Sequence, residues 1–208
     1  MGLICSCVSL SFPHQSGTTS VPAPRKQRKA PDTGSSYGLS AEGQKIKSQK
    51  ILLIGTLGSG KTTVAQRLAR DTGLPYESID DCRIRYGDGT VKGEARAWEK
   101  FLALCRKPAP GILEFSGMGP HAEEVRENLL CSGIPVSLIW LVLPLEICIA
   151  RAMQRLKKIP SPFPWAPVTY SAPLIHDEIE FSWEYIWSRE SRFHTTRLEF
   201  SGTGSDDE

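Results

Sequence analysis

The sequence predicts a three-layer α/β fold with a five-stranded, mainly parallel sheet, and three observations support this prediction. Short apolar runs alternate with segments of helical periodicity from Lys50 onward, which is typical of a parallel sheet with helices on its faces. Residues 136–143 are apolar almost throughout, as expected of a central strand that is covered on both faces. A glycine-rich turn joins the first strand directly to the first helix.

The first half of this domain contains three strands and three helical segments. Consecutive apolar residues predict the first strand, and Gly73 is placed to end the first helix. Trp98, Phe101 and Cys105 recur at helical spacing and predict one apolar helix face. The predicted strands are residues 51–54, 75–80 and 111–115, the helices are 61–71 and 92–107, and 81–86 is a short helical or turn segment.

The second half adds two strands, three helices and a proline-rich segment. Residues 159–173 contain five prolines, which argues against a helix or a central strand there. We therefore predict a long ordered loop, or lid, over about residues 159–175. Ile179, Trp183 and Trp187 mark one face of the helix that follows. The predicted helices are 121–130, 145–158 and 176–190, and the predicted strands are 136–143 and 196–200.

The turn after the first strand carries the most specific pattern in the chain. It reads Gly-Thr-Leu-Gly-Ser-Gly-Lys-Thr-Thr and fits G-x-x-x-x-G-K-[ST] between a strand and a helix. In this pattern the glycines let backbone N–H groups surround a polyphosphate, the lysine reaches its β/γ-phosphates and the hydroxyl after it binds Mg²⁺. An ordinary glycine-rich turn has no need of Gly-Lys-Thr at this spacing. We predict a P-loop NTPase fold that binds ATP and Mg²⁺ through Gly55, Gly58, Ser59, Gly60, Lys61, Thr62 and Thr63.

Ligands of such sheets lie at the carboxyl ends of the strands, so the residues there are further candidates. The second strand ends in Asp80 and Asp81, with Arg83 close behind, and the third strand carries Glu114. Each has a structural alternative. The aspartates can cap the next helical segment, and Glu114 can either hold a magnesium-bound water or pair with a core cation.

Two further pairs lie near the same edge of the predicted sheet. Gly117 and Gly119 follow the third strand, where they serve either a ligand or only the turn. Arg151 and Arg155 lie one helical turn apart after the fourth strand. Such a pair either neutralises a phosphate or forms part of a solvated helix face.

With these residues the chain resembles the small P-loop kinases, a group that contains shikimate, gluconate, nucleoside and polynucleotide kinases and zeta-toxin-like phosphotransferases. The resemblance covers about residues 50–202, and its specific parts are the phosphate loop and residues 78–83. That segment is similar to the Asp-Asp-x-Arg stretch of polynucleotide-kinase-like enzymes, in which the first Asp faces the acceptor hydroxyl; this implies that role for Asp80. Residues 144–155 resemble the helix that leads into the lid. Gly117-x-Gly119 is a partial counterpart of the substrate turn of shikimate kinases. Unlike the group, the loop at 159–173 has no Arg.

The resulting hypothesis is an ATP-dependent phosphotransferase that moves the γ-phosphate of Mg-ATP to a hydroxyl of a small metabolite, nucleoside or nucleotide. Phosphoryl transfer mainly requires positioned groups and neutralised charge. The expected catalytic residues are Lys61, Asp80, Arg151 and Arg155, the metal site is Thr62 and Glu114, and the acceptor site is Asp81, Arg83, Gly117 and Gly119. The sequence does not identify the acceptor.

Two other function classes remain open. One is a P-loop regulatory ATPase or switch, although no apolar strand ends in Asp-Glu, as in motor-type ATPases, and the Asn-Lys-x-Asp guanine reader of GTPases is missing. The other is a membrane-tethered nucleotide-binding adaptor, which would require a degenerate site. The intact phosphate loop argues against the adaptor.

Residues 1–48 form a tail that we predict to be disordered and basic, ahead of a domain at 49–208. The tail holds six Lys/Arg against two acidic residues, whereas the domain holds nineteen against twenty-one. Its first residues fit M-G-x-x-x-[ST] for N-myristoylation at Gly2, with Cys5 and Cys7 as palmitoylation candidates. A second acyl chain or the basic cluster at 25–29 would make such an anchor stable. A transit peptide is the alternative.

Composition also limits the partners. The domain has no basic excess, so we expect no stable binding of nucleic acid. No apolar run is long enough to span a bilayer, and the cysteines at 82, 105, 131 and 148 lack zinc spacing and indicate reduced thiols in a cytosolic protein. We therefore expect a cytoplasmic protein with a small-molecule acceptor and with possible attachment to a membrane surface through its N-terminus. The oligomeric state is not predicted.

Overall fold

The structure, a computed structural model, describes residues 48–154 and 159–200. The predicted acylation sites Gly2, Cys5 and Cys7 and the predicted catalytic residue Arg155 lie outside the described residues. The elements in chain order are β1 (Lys50–Ile54), α1 (Lys61–Thr72), β2 (Tyr76–Ser78), α2 (Ile79–Tyr86), α3 (Val91–Arg106), β3 (Gly111–Glu114), α4 (Ala122–Cys131), β4 (Val136–Val142), α5 (Leu145–Met153), α6 (Val168–Ser182), a π-helical turn (Trp183–Trp187) and β5 (Phe193–Glu199).

The five strands form one wholly parallel sheet in the order β2-β3-β1-β4-β5. β1 is central, and its Lys50 is aligned with Gly111 of β3 on one side and with Val136 of β4 on the other. The predicted fold class is therefore confirmed. Because all strands run in the same direction, the segments that follow β1, β2 and β3 meet at one edge of the sheet.

β1 is buried on both faces, and its alternate residues contribute to two separate cores. Leu52 and Ile54 pack with residues of α3, α4 and α6 on one face. Ile51 and Leu53 pack with Ala65 of α1 on the other. Successive side chains of a strand point to opposite faces, so a strand between two helical layers is apolar along its whole length.

The prediction that residues 159–173 contain no helix was wrong. α6 begins at Val168 and contains Pro173 in its interior. Proline there removes one backbone hydrogen bond, but Ala172 and Ile179 of the same helix are fully buried in the core. This packing offsets the missing bond. The helix predicted at 176–190 therefore starts earlier and passes into the π-helical turn, and the final strand also starts earlier than predicted.

Within the described residues, the four cysteines are free thiols, as predicted. The same residues include no helix that is long and apolar enough to cross a membrane.

Trp187, in the π-helical turn, connects the C-terminal part of the chain to the loop after β3. Its ring is fully buried, and its Nε1 donates to the carbonyl oxygen of Gly117 at 2.7 Å. Gly117 has φ of +95°, and an added Cβ would lie 2.6 Å from the side chain of Ile54. The position therefore requires glycine for its backbone conformation and for lack of space.

Trp187→Phe should lower the free energy of unfolding by about 1–3 kcal/mol, because the Gly117 carbonyl loses its donor. Urea denaturation measures this change. Trp183→Phe is the control, since that ring is only partly buried and packs against Trp140 at an interplanar angle of 43°. Equal losses in the two variants would show that the hydrogen bond to Gly117 contributes little.

Candidate active site

The phosphate loop between β1 and α1 needs glycine at three positions, and the reasons differ among them. Gly58 has φ of +80°, and a Cβ there would lie 2.1 Å from the carbonyl oxygen of Cys148 in α5. Gly60, the N-cap of α1, has φ of +87°, but no atom lies within 4 Å of an added Cβ. Space and backbone conformation thus both restrict Gly58, whereas backbone conformation alone restricts Gly60. Gly55 also lacks space, since its added Cβ would lie 2.7 Å from the Leu141 carbonyl.

Lys61 is the first residue of α1, and its side chain turns back over the loop. Its Nζ donates to the carbonyl oxygens of Gly55 at 2.7 Å and of Thr56 at 2.9 Å. The side chain is buried although it is charged. Buried charges require partners of this kind, and the arrangement holds the ammonium group at the loop. Thr63, two residues on, is exposed.

Glu114 ends β3 and is the buried acid of the site. Its Oε1 accepts a hydrogen bond from the Thr62 hydroxyl at 2.9 Å, and its Oε2 accepts one from the Tyr76 hydroxyl. Burial and the negative charge of Glu114 raise the pKa of Tyr76, so the phenol stays protonated and continues to donate. The sequence also allowed Glu114 to pair with a core cation, but the two groups that donate to it are the hydroxyls of Thr62 and Tyr76.

These groups fit a nucleotide and Mg²⁺. The Thr62 hydroxyl and the Glu114 carboxylate offer the hard oxygen atoms that Mg²⁺ prefers, and the loop presents a helix N-terminus to phosphate. The buried Ser59 hydroxyl has no hydrogen-bond partner among the described residues, and such atoms are normally satisfied. In those residues no group of three or more His, Cys, Asp or Glu side chains could hold a metal alone, so phosphate oxygens would complete the coordination.

The two aspartates after β2 have different partners. Ser78 is the N-cap of α2: its hydroxyl accepts from the Asp81 backbone N–H at 3.0 Å and donates to the Asp81 carboxylate at 2.6 Å. Asp81 therefore serves the cap, which is one of the structural alternatives considered above. Asp80 instead pairs with Arg83 Nη1 at 3.1 Å. Its side chain is 31% exposed, so it remains accessible to a ligand.

Arg83 contacts two carboxylates. Besides Asp80, it binds Glu94 of α3, with Nε 3.0 Å from both carboxylate oxygens and Nη2 2.6 Å from one. Burial opposes the charge on Arg83, but the hydrogen bonds and charge of Glu94, together with Asp80, raise its pKa. Burial likewise disfavours the charge on Glu94, but the hydrogen bonds and positive charge of Arg83 have the larger combined effect, so the pKa of Glu94 is lowered. The sequence analysis did not identify Glu94 as a site residue, because its partner Arg83 lies eleven residues earlier in the chain and on a different helix.

The turn after β3 lies directly against the phosphate loop. The backbone N–H of Gly55 donates to the carbonyl of Ser116 at 3.0 Å. Gly117 is required by the turn itself, as described above, whereas Gly119 has φ of +89° with no atom within 4 Å of an added Cβ. The glycine turn and the phosphate loop therefore meet, as their places in the sheet predict.

Arg151 lies in the last turn of α5 and is exposed. It follows Cys148, whose carbonyl contacts Gly58, by three residues, which is the spacing of neighbours on a helix. Burial raises the pKa of the Cys148 thiol, and the positive charges of Lys61 and Arg151 act against that rise. Arg151 is therefore close enough to Cys148 for its charge to act on that thiol.

His176 of α6 is a contact of the phosphate loop that the sequence analysis did not identify. Its Nδ1 lies 3.0 Å from the Thr56 hydroxyl, and Thr56 is the residue whose carbonyl accepts from Lys61. Its Nε2 lies 4.0 Å from the Glu180 carboxylate. The contact joins residues 120 positions apart, and no local pattern in the sequence signals it.

Comparisons with known proteins agree with this geometry. A family model described as "ATPase family associated with various cellular activities (AAA)" matches residues 51–119, about a third of the chain. None of the curated protein sequences matches. The structure of a shikimate kinase from Acinetobacter baumannii in complex with shikimate is 20% identical, with a TM-score of 0.53 over 76% of this chain and 88% of that chain.

Two other solved structures are similar at lower TM-scores. A shikimate kinase from Aquifex aeolicus is 21% identical, with a TM-score of 0.46 over 73% of this chain and 85% of that chain. A gluconokinase from Sinorhizobium meliloti is 17% identical, with a TM-score of 0.47 over 74% of this chain and 83% of that chain.

The parallel sheet, the phosphate loop with Lys61 and Thr62, and the acid Glu114 on the neighbouring strand together define a P-loop NTPase fold. Within that class, the fold is that of the small P-loop kinases, as in the Acinetobacter baumannii shikimate kinase.

Gly58→Ala should destabilise the protein more than Gly60→Ala. The left-handed conformation costs either alanine roughly 1–2 kcal/mol, but only the Cβ at position 58 also meets a backbone carbonyl. Chemical denaturation of both variants measures the difference. Equal losses would show that α5 moves away from the loop at no cost.

His176→Ala should raise the Kd for ATP about three- to tenfold, which corresponds to one lost hydrogen bond. The reason is that His176 holds the side chain of Thr56, and the backbone carbonyl of Thr56 positions the Lys61 ammonium group. His176→Asn places a polar atom near the position of Nδ1 and should recover most of the affinity. Titration with nucleotide in the presence of Mg²⁺ measures both. Unchanged affinity in the alanine variant would remove His176 from the site.

Proposed function

We propose that this protein is an ATP-dependent phosphotransferase that moves the γ-phosphate of Mg-ATP to a hydroxyl of a small metabolite, nucleoside or nucleotide. Gly55, Gly58, Ser59, Gly60, Lys61, Thr62 and Thr63 bind the nucleotide, and Thr62 and Glu114 serve Mg²⁺. Mg²⁺ supplies positive charge to the phosphate oxygens as charge develops there.

The other residues act on the acceptor and on the transferred group. Asp80 accepts a hydrogen bond from the attacking hydroxyl and orients its oxygen for in-line attack. Lys61 and Arg151 neutralise the oxygens of the transferring group, with Arg155 in the same role outside the described residues. Gly117 and Gly119 form the turn beside the acceptor.

One observation carries the proposal: the site has two carboxylates in different surroundings. Glu114 is buried and contacts the Thr62 hydroxyl of the phosphate loop. Asp80 is partly exposed and pairs with Arg83 of its own helix. Transfer to an acceptor needs both an acid for the metal and an acid for the acceptor, whereas the metal-site acid alone does not distinguish a kinase from an ATPase.

A regulatory ATPase is the second candidate, and two observations favour it. The matching family model describes ATPases, and Glu114 follows three apolar or small residues at the end of β3 beside the phosphate loop. In that case Glu114 would serve hydrolysis, and no acceptor would stimulate turnover. A nucleotide-binding adaptor attached to a membrane through acylated Gly2, Cys5 or Cys7 is the third candidate.

Asp80→Asn separates these candidates. It should lower transfer to an acceptor by roughly a hundred- to ten-thousand-fold and change nucleotide affinity little, because the phosphates are held by the loop. Hydrolysis to water should fall much less. The measurement is ADP release from Mg-ATP with and without acceptors from a panel of sugars, polyols, nucleosides and cyclic acids.

Asp81→Asn is the matched control. It changes the neighbouring capping carboxylate, so it should cost about 1 kcal/mol of stability and leave acceptor-stimulated turnover within a few-fold of the wild-type rate. Two results would contradict the proposal: no stimulation by any acceptor, or equal stimulated rates in wild type and Asp80→Asn.

A further inference from the structure

Arg83, expected from the sequence to bind the acceptor, is already bound by carboxylates of its own chain. Its guanidinium contacts Glu94 at 2.6–3.0 Å and Asp80 at 3.1 Å. Trp98 donates its indole N–H to Glu94 at 2.9 Å, and this fixes the carboxylate further. The Arg83 side chain is only 17% exposed. Its charge is thus compensated before any ligand arrives.

The charge around Asp80 is negative as a result. Asp80, Arg83 and Glu94 together carry one net negative charge, and the adjacent Asp81 adds another. A carboxylate or phosphate on the acceptor would meet like charge here, which is strongly disfavoured. Hydroxyl groups, in contrast, donate hydrogen bonds to carboxylate oxygens.

One aromatic ring beside this cluster is open to solvent. Trp165 is 61% exposed, and its ring centroid lies 5.9 Å from the guanidinium carbon of Arg83. Trp98 lies as close to Arg83, but His121 stacks on it with the ring centroids 4.1 Å apart. An exposed indole next to hydrogen-bond acceptors suits a small molecule that has an apolar C–H face and hydroxyls at its edge.

We propose that the acceptor is an uncharged, hydroxyl-rich small molecule and that Arg83 positions Asp80 instead of binding an acidic group. This inference rests on the proposed phosphotransferase function and names its substrate class. In the reaction, the acceptor oxygen bonds to the γ-phosphorus as the bond from that phosphorus to the bridging oxygen of ADP breaks. The hydroxyl proton goes to Asp80 and then to solvent.

Matched pairs of acceptors test the substrate class, with the full chain and Mg-ATP. D-glucitol has a hydroxymethyl group where D-gluconate has a carboxylate. Methyl shikimate has an uncharged ester where shikimate has a carboxylate. In wild type, the uncharged member of a pair that supports ADP release should have the higher kcat/KM, by about tenfold or more.

Two variants test the role of Arg83. Glu94→Gln removes one negative charge and releases part of the guanidinium, so it should reduce the preference for the uncharged member at least several-fold. Arg83→Met should lower kcat for an uncharged acceptor more than it raises KM, because the residue acts through Asp80. A guanidinium that bound the acceptor itself would raise KM first. Thermal melting confirms that both variants are folded.

The possible outcomes separate this inference from the proposed function. The inference is overturned if the acidic member of a pair has the higher kcat/KM and Arg83→Met abolishes that advantage by raising its KM. The phosphotransferase function would then still stand. The inference is also overturned if wild type prefers the uncharged members and Glu94→Gln shows the same preference. The negative charge around Asp80 would then not be what discriminates between the acceptors. Stimulation by no member of any pair contradicts the proposed function, and this inference with it.

Discussion

The parallel pairing of β1 between β3 and β4 is the constraint on which the site depends. Leu53 of β1 is in register with Glu114 of β3, and the ladder continues beyond the strands, where Gly55 N–H donates to Ser116. The Glu114 carboxylate, the start of the phosphate loop and the glycine turn are therefore held by one set of backbone hydrogen bonds. Shifting the register by one residue would turn Glu114 to the other face of the sheet.

The two acids of the site illustrate how the fold gives one functional group, the carboxylate, two different environments. Glu114 is buried, and two hydroxyl donors, from Thr62 and Tyr76, satisfy its oxygens, so it is preorganised for a metal that binds through oxygen. Asp80 lies in a partly exposed position beside Arg83, where a ligand can reach it. In the proposed phosphotransferase, this separation would let the site hold its metal while acceptors exchange.

Local patterns predicted the sheet and the phosphate loop because short-range periodicity and glycine requirements determine both. The Ser78…Asp81 capping box was also visible in the sequence, as serine followed three residues later by an acid, and it would have separated the two aspartates. Contacts such as Thr56 with His176 could not be predicted, because only the tertiary fold brings such distant positions together. The helix through Pro173 was missed for a related reason: burial of Ala172 and Ile179 outweighs local propensity.

Pro173 also sets the mechanics of the segment in front of it. The part of α6 from Ala172 onward is anchored by its burial and by the contact of His176 with the phosphate loop, whereas Tyr170 is exposed. Proline removes one of the backbone hydrogen bonds that would tie the first turn of the helix to the rest. Residues 159–171, which place Trp165 at 5.9 Å from Arg83, are therefore held to the anchored part of α6 by one backbone hydrogen bond fewer than in a regular helix.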